Sequence, residues 1–421
     1  MKKNSVRAAL LACVSLFALG TFAAPAAAAS DSSKPTISKA ASKPVGAAMK
    51  AVEAKDWPTA IAKLKEAQAL SDLSDYDKYV IATYFGLAYY SSGDTVSAAT
   101  SFVQAAETPG APDSERAAAY HRAISLEYNN QDYAKVIELG QSLNKSGVAV
   151  GNDDLAILAS ADYNTGDFAN ALVYAQKAIA AATAAGQAPD RTMYEVVLSS
   201  QNKQKDVPGE IKTLDGMAGL YGNAEDWGRL IDLTLSQFNS PGRTVAALSL
   251  YRLRLVTGAE SAADDYTLMA QLALELNSPG DADHALHTGI DKGILPQAKA
   301  GALLAKTNAR LKGDEAGLAA AEAVAAKSPA SNGDVSVAED YFGYGRYGDA
   351  ARVAARAVSK GGAKQGEAQL TLGSAQAMQN DPAAAATLGG VAGDSSLEQA
   401  ANLWKVYATR KYGQPGAAPA K

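Results

Sequence analysis

The sequence contains a single cysteine, Cys13, and only three histidines among 421 residues. A disulfide framework and a zinc site built on thiolates both need several cysteines, so neither is expected. Aromatic residues are also scarce, at 7%, although 48% of the chain is hydrophobic. Much of that hydrophobic fraction is alanine, and a core of small side chains favours closely packed helices over a sheet.

Basic residues are outnumbered by acidic ones, 39 against 44, which gives a formal net charge of −5. Generic nucleic-acid binding needs a basic surplus that contacts phosphates. The composition therefore argues against a nucleic-acid partner.

Catalytic motifs are lacking as well. The chain has no glycine-rich loop after a strand, no His-Glu-x-x-His and no nucleophile elbow. His284 and His287 lie three residues apart after Asp281 and Asp283, a spacing that a metal could use. Because aspartates favour the positive end of a helix dipole, we interpret this segment as a solvated helix start. We expect no enzyme activity, no metal and no cofactor.

Residues 1–29 have the pattern of an export signal, with a basic segment in 1–7, an apolar segment in 8–24 and three alanines ending at Ala29. The pattern predicts cleavage after Ala29 and a periplasmic protein without a transmembrane segment. Removing the three basic residues of this leader would change the net charge from −5 to −8. In an alternative, residues 10–13 resemble a lipobox, and Cys13 would then carry a lipid.

One pattern recurs through the rest of the sequence. A helix with a small residue at its crossing point is followed by a turn of the Gly-Asp or Lys-Asp type and by a second helix with alanines at regular spacing. Aligned on the turn, the spacings are 38, 38, 35 and 39 residues. The five turns lie at Lys55, Gly93, Gln131, Gly166 and Lys205.

This pattern resembles the tetratricopeptide repeat, in which small residues let two helices approach and bulky residues fill the space between hairpins. In the second half, residues 251–258 and 265–274 also resemble segments of a group of secreted proteobacterial repeat proteins of unassigned activity. The resemblance implies an all-α protein, an α-solenoid with a right-handed superhelix of about ten hairpins and a capping helix. In such an array each repeat contacts only its neighbours.

The predicted organisation has five segments. A flexible linker, 30–43, follows the leader, and regular structure should begin near Pro44. The remaining segments are an N-terminal array (44–223), a divergent C-terminal array with its capping helix (224–412) and a disordered tail (413–421). Within the C-terminal array, one hairpin is predicted around Gly313 and Asp314.

The resemblance also implies that the first helix of each hairpin lines a concave groove. The groove positions carry tyrosine, serine, asparagine and one histidine, a neutral hydrogen-bonding surface suited to an extended peptide or a glycan. The same tyrosines could instead pack between repeats. The candidate groove residues are Tyr90, His121, Ser125, Tyr128, Asn129, Ser160, Tyr163 and Asn164.

The sequence therefore predicts a periplasmic, non-enzymatic scaffold that binds a protein or peptide partner of the cell envelope. The alternative is a glycan- or ligand-binding accessory of an envelope polysaccharide enzyme or export system. The oligomeric state and the identity of the partner stay open.

Overall fold

The computed structural model of the protein describes residues 36–109, 111–238, 244–260 and 262–410. The predicted leader with Cys13, the first residues of the predicted linker (30–35) and the predicted tail (413–421) lie outside the described residues. Every regular element in the described ranges is a helix. The prediction of an all-α helical-repeat protein is confirmed.

The chain divides into two compact units, 1–206 and 207–421. In the part of the N-terminal unit that the structure describes, nine helices follow one another. They are α1 (Lys39–Glu53), α2 (Trp57–Gln68), α3 (Asp75–Ser92), α4 (Thr95–Glu107), α5 (Asp113–Asn129), α6 (Tyr133–Lys145), α7 (Asn152–Thr165), α8 (Phe168–Ala184) and α9 (Arg191–Gln204).

The C-terminal unit has eleven helices within the described ranges. They are α10 (Val207–Tyr221), α11 (Ala224–Ser236), α12 (Val245–Thr257), α13 (Ala263–Glu275), α14 (Pro279–Asp291), α15 (Gln297–Lys327), α16 (Asn332–Gly343), α17 (Tyr347–Lys360), α18 (Gln365–Met378), α19 (Ala384–Gly389) and α20 (Ser395–Thr409).

The turns of the N-terminal unit follow the predicted register. All five turn residues have left-handed backbone conformations, with φ between 58° and 90°. An aspartate follows each turn residue. The first four of these aspartates cap the next helix, because each side chain accepts a hydrogen bond from the backbone N–H three residues further on. Asp94, for example, accepts from the Ser97 N–H at 3.0 Å. Glycine adopts this conformation without cost, and lysine and glutamine adopt it at three of the five turns.

Gly86 lies where the two helices of a hairpin cross, as the repeat pattern predicts. A methyl group at Gly86 would stand 2.6 Å from the Phe102 ring. Gly373 has the same relation to Leu388, at 2.5 Å. Both hairpins depend on the absence of a side chain at the crossing.

Helix α1 begins at Lys39, so the expectation of a flexible linker up to residue 43 and of structure starting near Pro44 is wrong by five residues. The Ser38 hydroxyl accepts from the Ala41 backbone N–H at 3.3 Å and caps the helix. Pro44 lies inside the helix and removes one backbone hydrogen bond. Burial of Ala41 and Val45 against the neighbouring helices compensates for that loss.

The hairpin predicted around Gly313 and Asp314 is absent. Helix α15 runs without a break through both residues for 31 residues. A glycine inside a helix costs only about 1 kcal/mol relative to alanine, and the flanking alanine, leucine, lysine and glutamate residues are strong helix formers. The Gly-Asp pair alone was insufficient to define a turn.

The C-terminal unit departs from a linear array at its last helix. Helix α20 packs on its neighbours α18 and α19 and also on α10, α11 and α12. Trp404, fully buried, donates its indole N–H to the Ser249 hydroxyl at 2.8 Å and to the Ser249 carbonyl at 3.1 Å. The predicted capping helix therefore closes the unit onto its own beginning, and the unit starts at Val207, earlier than the predicted boundary after residue 223.

Candidate functional site

The first helices of successive hairpins in the N-terminal unit, α3, α5 and α7, stand side by side. The Tyr79 hydroxyl on α3 donates to Glu115 Oε2 on α5 at 3.0 Å. His121 Nδ1 on α5 lies 2.8 Å from Asp154 Oδ1 on α7. The first bond joins the second turn of α3 to the first turn of α5, and the second joins the middle of α5 to the first turn of α7. Each helix from α3 to α7 also packs on the next one across a short connection that reverses the chain, so α3, α5 and α7 run in the same general direction and have their C-terminal ends on the same side.

Tyr90, Tyr128 and Tyr163, the tyrosine row, lie in the last turns of these three helices and are all half-buried. Each ring has packing contacts. The Tyr128 ring centroid is 5.6 Å from that of Tyr133, and the Tyr163 centroid is 5.5 Å from that of Phe168. Tyr90 packs against the core of the unit. One part of each ring thus supports the fold while the rest faces solvent.

The polar residues beside the tyrosine row differ in exposure. Asn129 and Asn164 are exposed. Ser125 and Ser160 are buried, with 5% and 4% of their surface accessible. The Ser160 hydroxyl donates to the Ala156 carbonyl of its own helix at 2.9 Å. Of these four polar candidates, the two asparagine side chains are accessible, and Asn164 donates to the Ser160 carbonyl at 2.8 Å.

His121 lies half-exposed on the same helix as Tyr128, in a pair with the buried Asp154. Its hydrogen bond with Asp154 raises the pKa of the His121 imidazole above the ordinary value, and desolvation opposes that rise. The charged form of His121 therefore strengthens the contact between α5 and α7.

We expect this pair to make the stability of the N-terminal unit depend on pH. Because the folded-state pKa of His121 is raised, its contribution is fully present below pH ~6.5 and is lost as the pH rises through the folded-state pKa. The pair is partly exposed, so the effect should stay below about 1 kcal/mol. Chemical denaturation between pH 5 and pH 8 measures it. In His121→Asn this component of the pH dependence should vanish, and an unchanged profile would contradict the assignment.

Sequence reasoning missed the acidic residues that join these helices. Asp77, Glu115 and Asp154 each occupy the third position of their helix. Asp77 Oδ1 accepts from the Ser38 backbone N–H at 2.8 Å, so an acidic residue at this helix position also binds the start of α1. The recurrence of an acidic residue at one helix position was visible in the sequence, but its partners on the preceding helices were not.

Among the described residues, no helix is long and apolar enough to span a bilayer. In those same ranges, no three His, Cys, Asp or Glu side chains are placed to hold a metal ion.

No family model matches this chain, and no curated protein matches its sequence. Solved repeat structures are similar over most of its length. One is the crystal structure of the pentatricopeptide repeat protein PPR10 from maize, with 15% identity, a TM-score of 0.28, and coverage of 87% of this chain and 56% of the other. A second is the APC/C hetero-tetramer Cut9–Hcn1, with 12% identity, a TM-score of 0.25, and coverage of 87% and 66%.

The tetratricopeptide-repeat domain of P58(IPK) is similar with 12% identity, a TM-score of 0.23, and coverage of 87% of this chain and 98% of the other. The chain spans less than two thirds of the length of the first two structures. At these TM-scores none of the three superposes closely on this chain. The fold assignment rests on the helices, turns and crossings described above, which are those of a helical repeat array.

Proposed function

We propose that this protein is a non-enzymatic binding scaffold of the cell envelope, which holds an extended segment of a protein partner along the tyrosine row. The observation that carries the proposal is the repeated placement of a half-exposed tyrosine in the last turn of three parallel, adjacent helices. An exposed asparagine follows the tyrosine on α5 and on α7.

The spacing of the row suits an extended chain. Packed helices lie about 8–10 Å apart, and an extended chain advances about 3.3–3.6 Å per residue. A peptide crossing the helix ends would therefore place about every third residue beside the next tyrosine. The rings offer flat apolar surface at low entropic cost, and the asparagine amides can bond to the peptide backbone.

The envelope location rests on the leader pattern in residues 1–29. Mass spectrometry of the protein from its native host should find Ser30 as the first residue, without lipid, in the periplasmic fraction. An acylated Cys13 at the N-terminus would establish the lipoprotein alternative instead.

A partner can be recovered by crosslinking in intact envelopes followed by capture of the full chain. Recovery of a protein that binds the purified chain supports the scaffold. Aromatic rings beside amides also suit sugars, so recovery of polysaccharide would favour the glycan-binding alternative and would overturn the peptide proposal.

Two substitutions test the row once the partner is purified. Asn129→Ala removes an exposed amide and should weaken binding by about 1 kcal/mol without changing the unfolding free energy. Tyr128→Ala should weaken binding by about 1–3 kcal/mol and also destabilise the unit, since its ring contacts Tyr133. Titration calorimetry and thermal unfolding measure the two effects separately.

The matched control is Tyr174→Ala, which removes a half-buried tyrosine from α8, a second helix of a hairpin. Binding should be unaffected in that variant. If the folded Asn129→Ala and Tyr128→Ala variants both bind the partner normally, the tyrosine row serves only to pack the helices and the proposed site is wrong.

A further inference from the structure

A cleft of about 420 Å³ opens in the C-terminal unit between α12, α13, α14 and the junction of α16 with α17. Its volume lies in the range of small-ligand sites. Aliphatic groups of Leu255, Val256 and Met269 form one part of its wall. The other part is aromatic and comprises Phe342, Tyr344 and Tyr347.

Arg252 and Asp281 line the cleft and form, together with Glu339, a buried ion cluster that has one more negative than positive charge. Arg252, with 3% of its surface accessible, binds Asp281 through two hydrogen bonds of 3.0 and 2.5 Å and Glu339 through one of 2.5 Å. Two carboxylates surround one guanidinium, which leaves a net charge of −1. Desolvation opposes the charged form, but the two carboxylates raise the pKa of Arg252, so it stays charged.

Further carboxylates add to this negative charge. Asp283 lines the rim, where its Oδ1 lies 3.0 Å from His287 Nδ1. Asp340, on α16, carries only part of a negative charge at neutral pH, because burial raises its pKa to about 7 and the neighbouring carboxylates of Asp314, Glu339 and Asp281 add to the rise. Asp283 and the Arg252 cluster thus give the cleft an excess of negative charge, which favours cations over anions.

Two close backbone contacts hold the cleft open in one shape. A methyl group at Gly280 would stand 2.9 Å from the Gly343 carbonyl carbon, and one at Gly343 would stand 2.9 Å from the Asp281 backbone nitrogen. The first turn of α14 therefore packs backbone to backbone against the end of α16. The wall also already accommodates a guanidinium, because Arg252 lies over the Phe342 ring at 4.5 Å.

We propose that this cleft binds an organic cation, namely a guanidinium or alkylammonium group. The cation would lie against the half-exposed faces of Tyr344 and Tyr347, where ring quadrupoles attract positive charge. Asp283 supplies the opposite charge, and the aliphatic wall takes the methylene stem of the ligand. This site is independent of the tyrosine row in the N-terminal unit.

Titration calorimetry of the full-length mature chain with N-acetyl-arginine amide tests the proposal. The matched neutral probe is N-acetyl-citrulline amide, which has nearly the same shape. We expect the arginine compound to bind at least about tenfold more tightly than the citrulline compound, which corresponds to ~1.4 kcal/mol. Equal affinity, or no heat from the arginine compound at about 10 mM, would overturn the proposal.

Three variants test whether the arginine compound binds in this cleft. Asp283→Asn should weaken it about tenfold, and Val256→Trp should abolish it by filling the cleft, both with circular dichroism showing the fold retained. Asp291→Asn makes the same charge change at the far end of α14 and should bind like the wild type. If Asp283→Asn and Asp291→Asn weaken binding equally, the attraction is a general charge effect and the cleft assignment is wrong.

The source of the cation is distinguished with a second pair of probes. A short peptide with one central arginine that binds more tightly than arginine amide identifies a basic protein segment as the ligand. Tighter binding of spermidine than of the peptide identifies a free polyamine. Both outcomes support a cation site, whereas tight binding of the citrulline version of the peptide opposes it.

Discussion

Replacing Arg252 by methionine is expected to lower the unfolding free energy of the C-terminal unit by about 3–5 kcal/mol. The guanidinium is buried with Asp281 and Glu339, and its removal leaves two carboxylates facing each other without a cation. Methionine fills a similar volume, so the cost would come from the uncompensated charges rather than from a cavity. Urea denaturation followed by tryptophan fluorescence measures it, because Trp227 and Trp404 both lie buried in this unit.

Arg352→Met is the matched control. Arg352 also contacts two carboxylates, Glu322 and Asp349, but half of its side chain is exposed. Solvent screens such pairs, and their contribution is about 0–1 kcal/mol. If Arg252→Met and Arg352→Met lower the unfolding free energy by similar amounts, burial of Arg252 does not determine the cost of removing it. Partial recovery in an Arg252→Met chain that also carries Glu339→Gln would attribute the loss to repulsion between the carboxylates.

The turn register of the N-terminal unit could be predicted because its determinants are local. A left-handed residue followed by a capping aspartate occupies two adjacent positions, so the sequence shows it even where the first residue is Lys55 or Gln131. The crossing glycines are equally visible, since each lies at a fixed distance from the turn. The same rule failed at Gly313, where strong helix formers on both sides outweighed one glycine.

The charged interior of the C-terminal unit could not be predicted in this way. Arg252 and Arg254 lie two residues apart, a spacing that places them on different faces of α12. Both are nevertheless buried, because helices pack on more than one side of α12. Arg254 pairs with Asp232 and Asp265, whereas the partners of Arg252 are 29 and 87 residues away. No local pattern marks partners at such separations.

The candidate site, too, could be predicted from the sequence only in part. The repeat alignment placed the three tyrosines at one position on the first helix of three hairpins, and in the structure each lies in the last turn of such a helix. The alignment could not show that Ser125 and Ser160 are buried, since burial depends on how closely the neighbouring helices approach. The ring contacts of Tyr128 and Tyr163 join residues five apart across a turn, so these two contacts were within reach of sequence reasoning.

Replacing Trp404 by alanine is expected to cost about 3–5 kcal/mol of unfolding free energy and to loosen the C-terminal unit far from the mutation. The indole is fully buried, donates to Ser249, and packs edge-to-face against Phe342 and Tyr407 at 6.2 and 5.6 Å. Trp404→Phe keeps most of the packing and removes the hydrogen bond, so it should lose about 1 kcal/mol. Asn402→Ala, an exposed position on the same helix, should change little.

Hydrogen exchange of the Trp404→Ala variant distinguishes a closed unit from a linear array. In a linear array, damage to the last helix spreads only to its neighbours, here α18 and α19. Because α20 also packs on α10, α11 and α12, exchange should rise in those helices at the same time. Residues 207–257 and 365–409 would then open together as one cooperative region. Faster exchange confined to 365–409 would contradict closure, because the first helices of the unit would then retain their protection without α20.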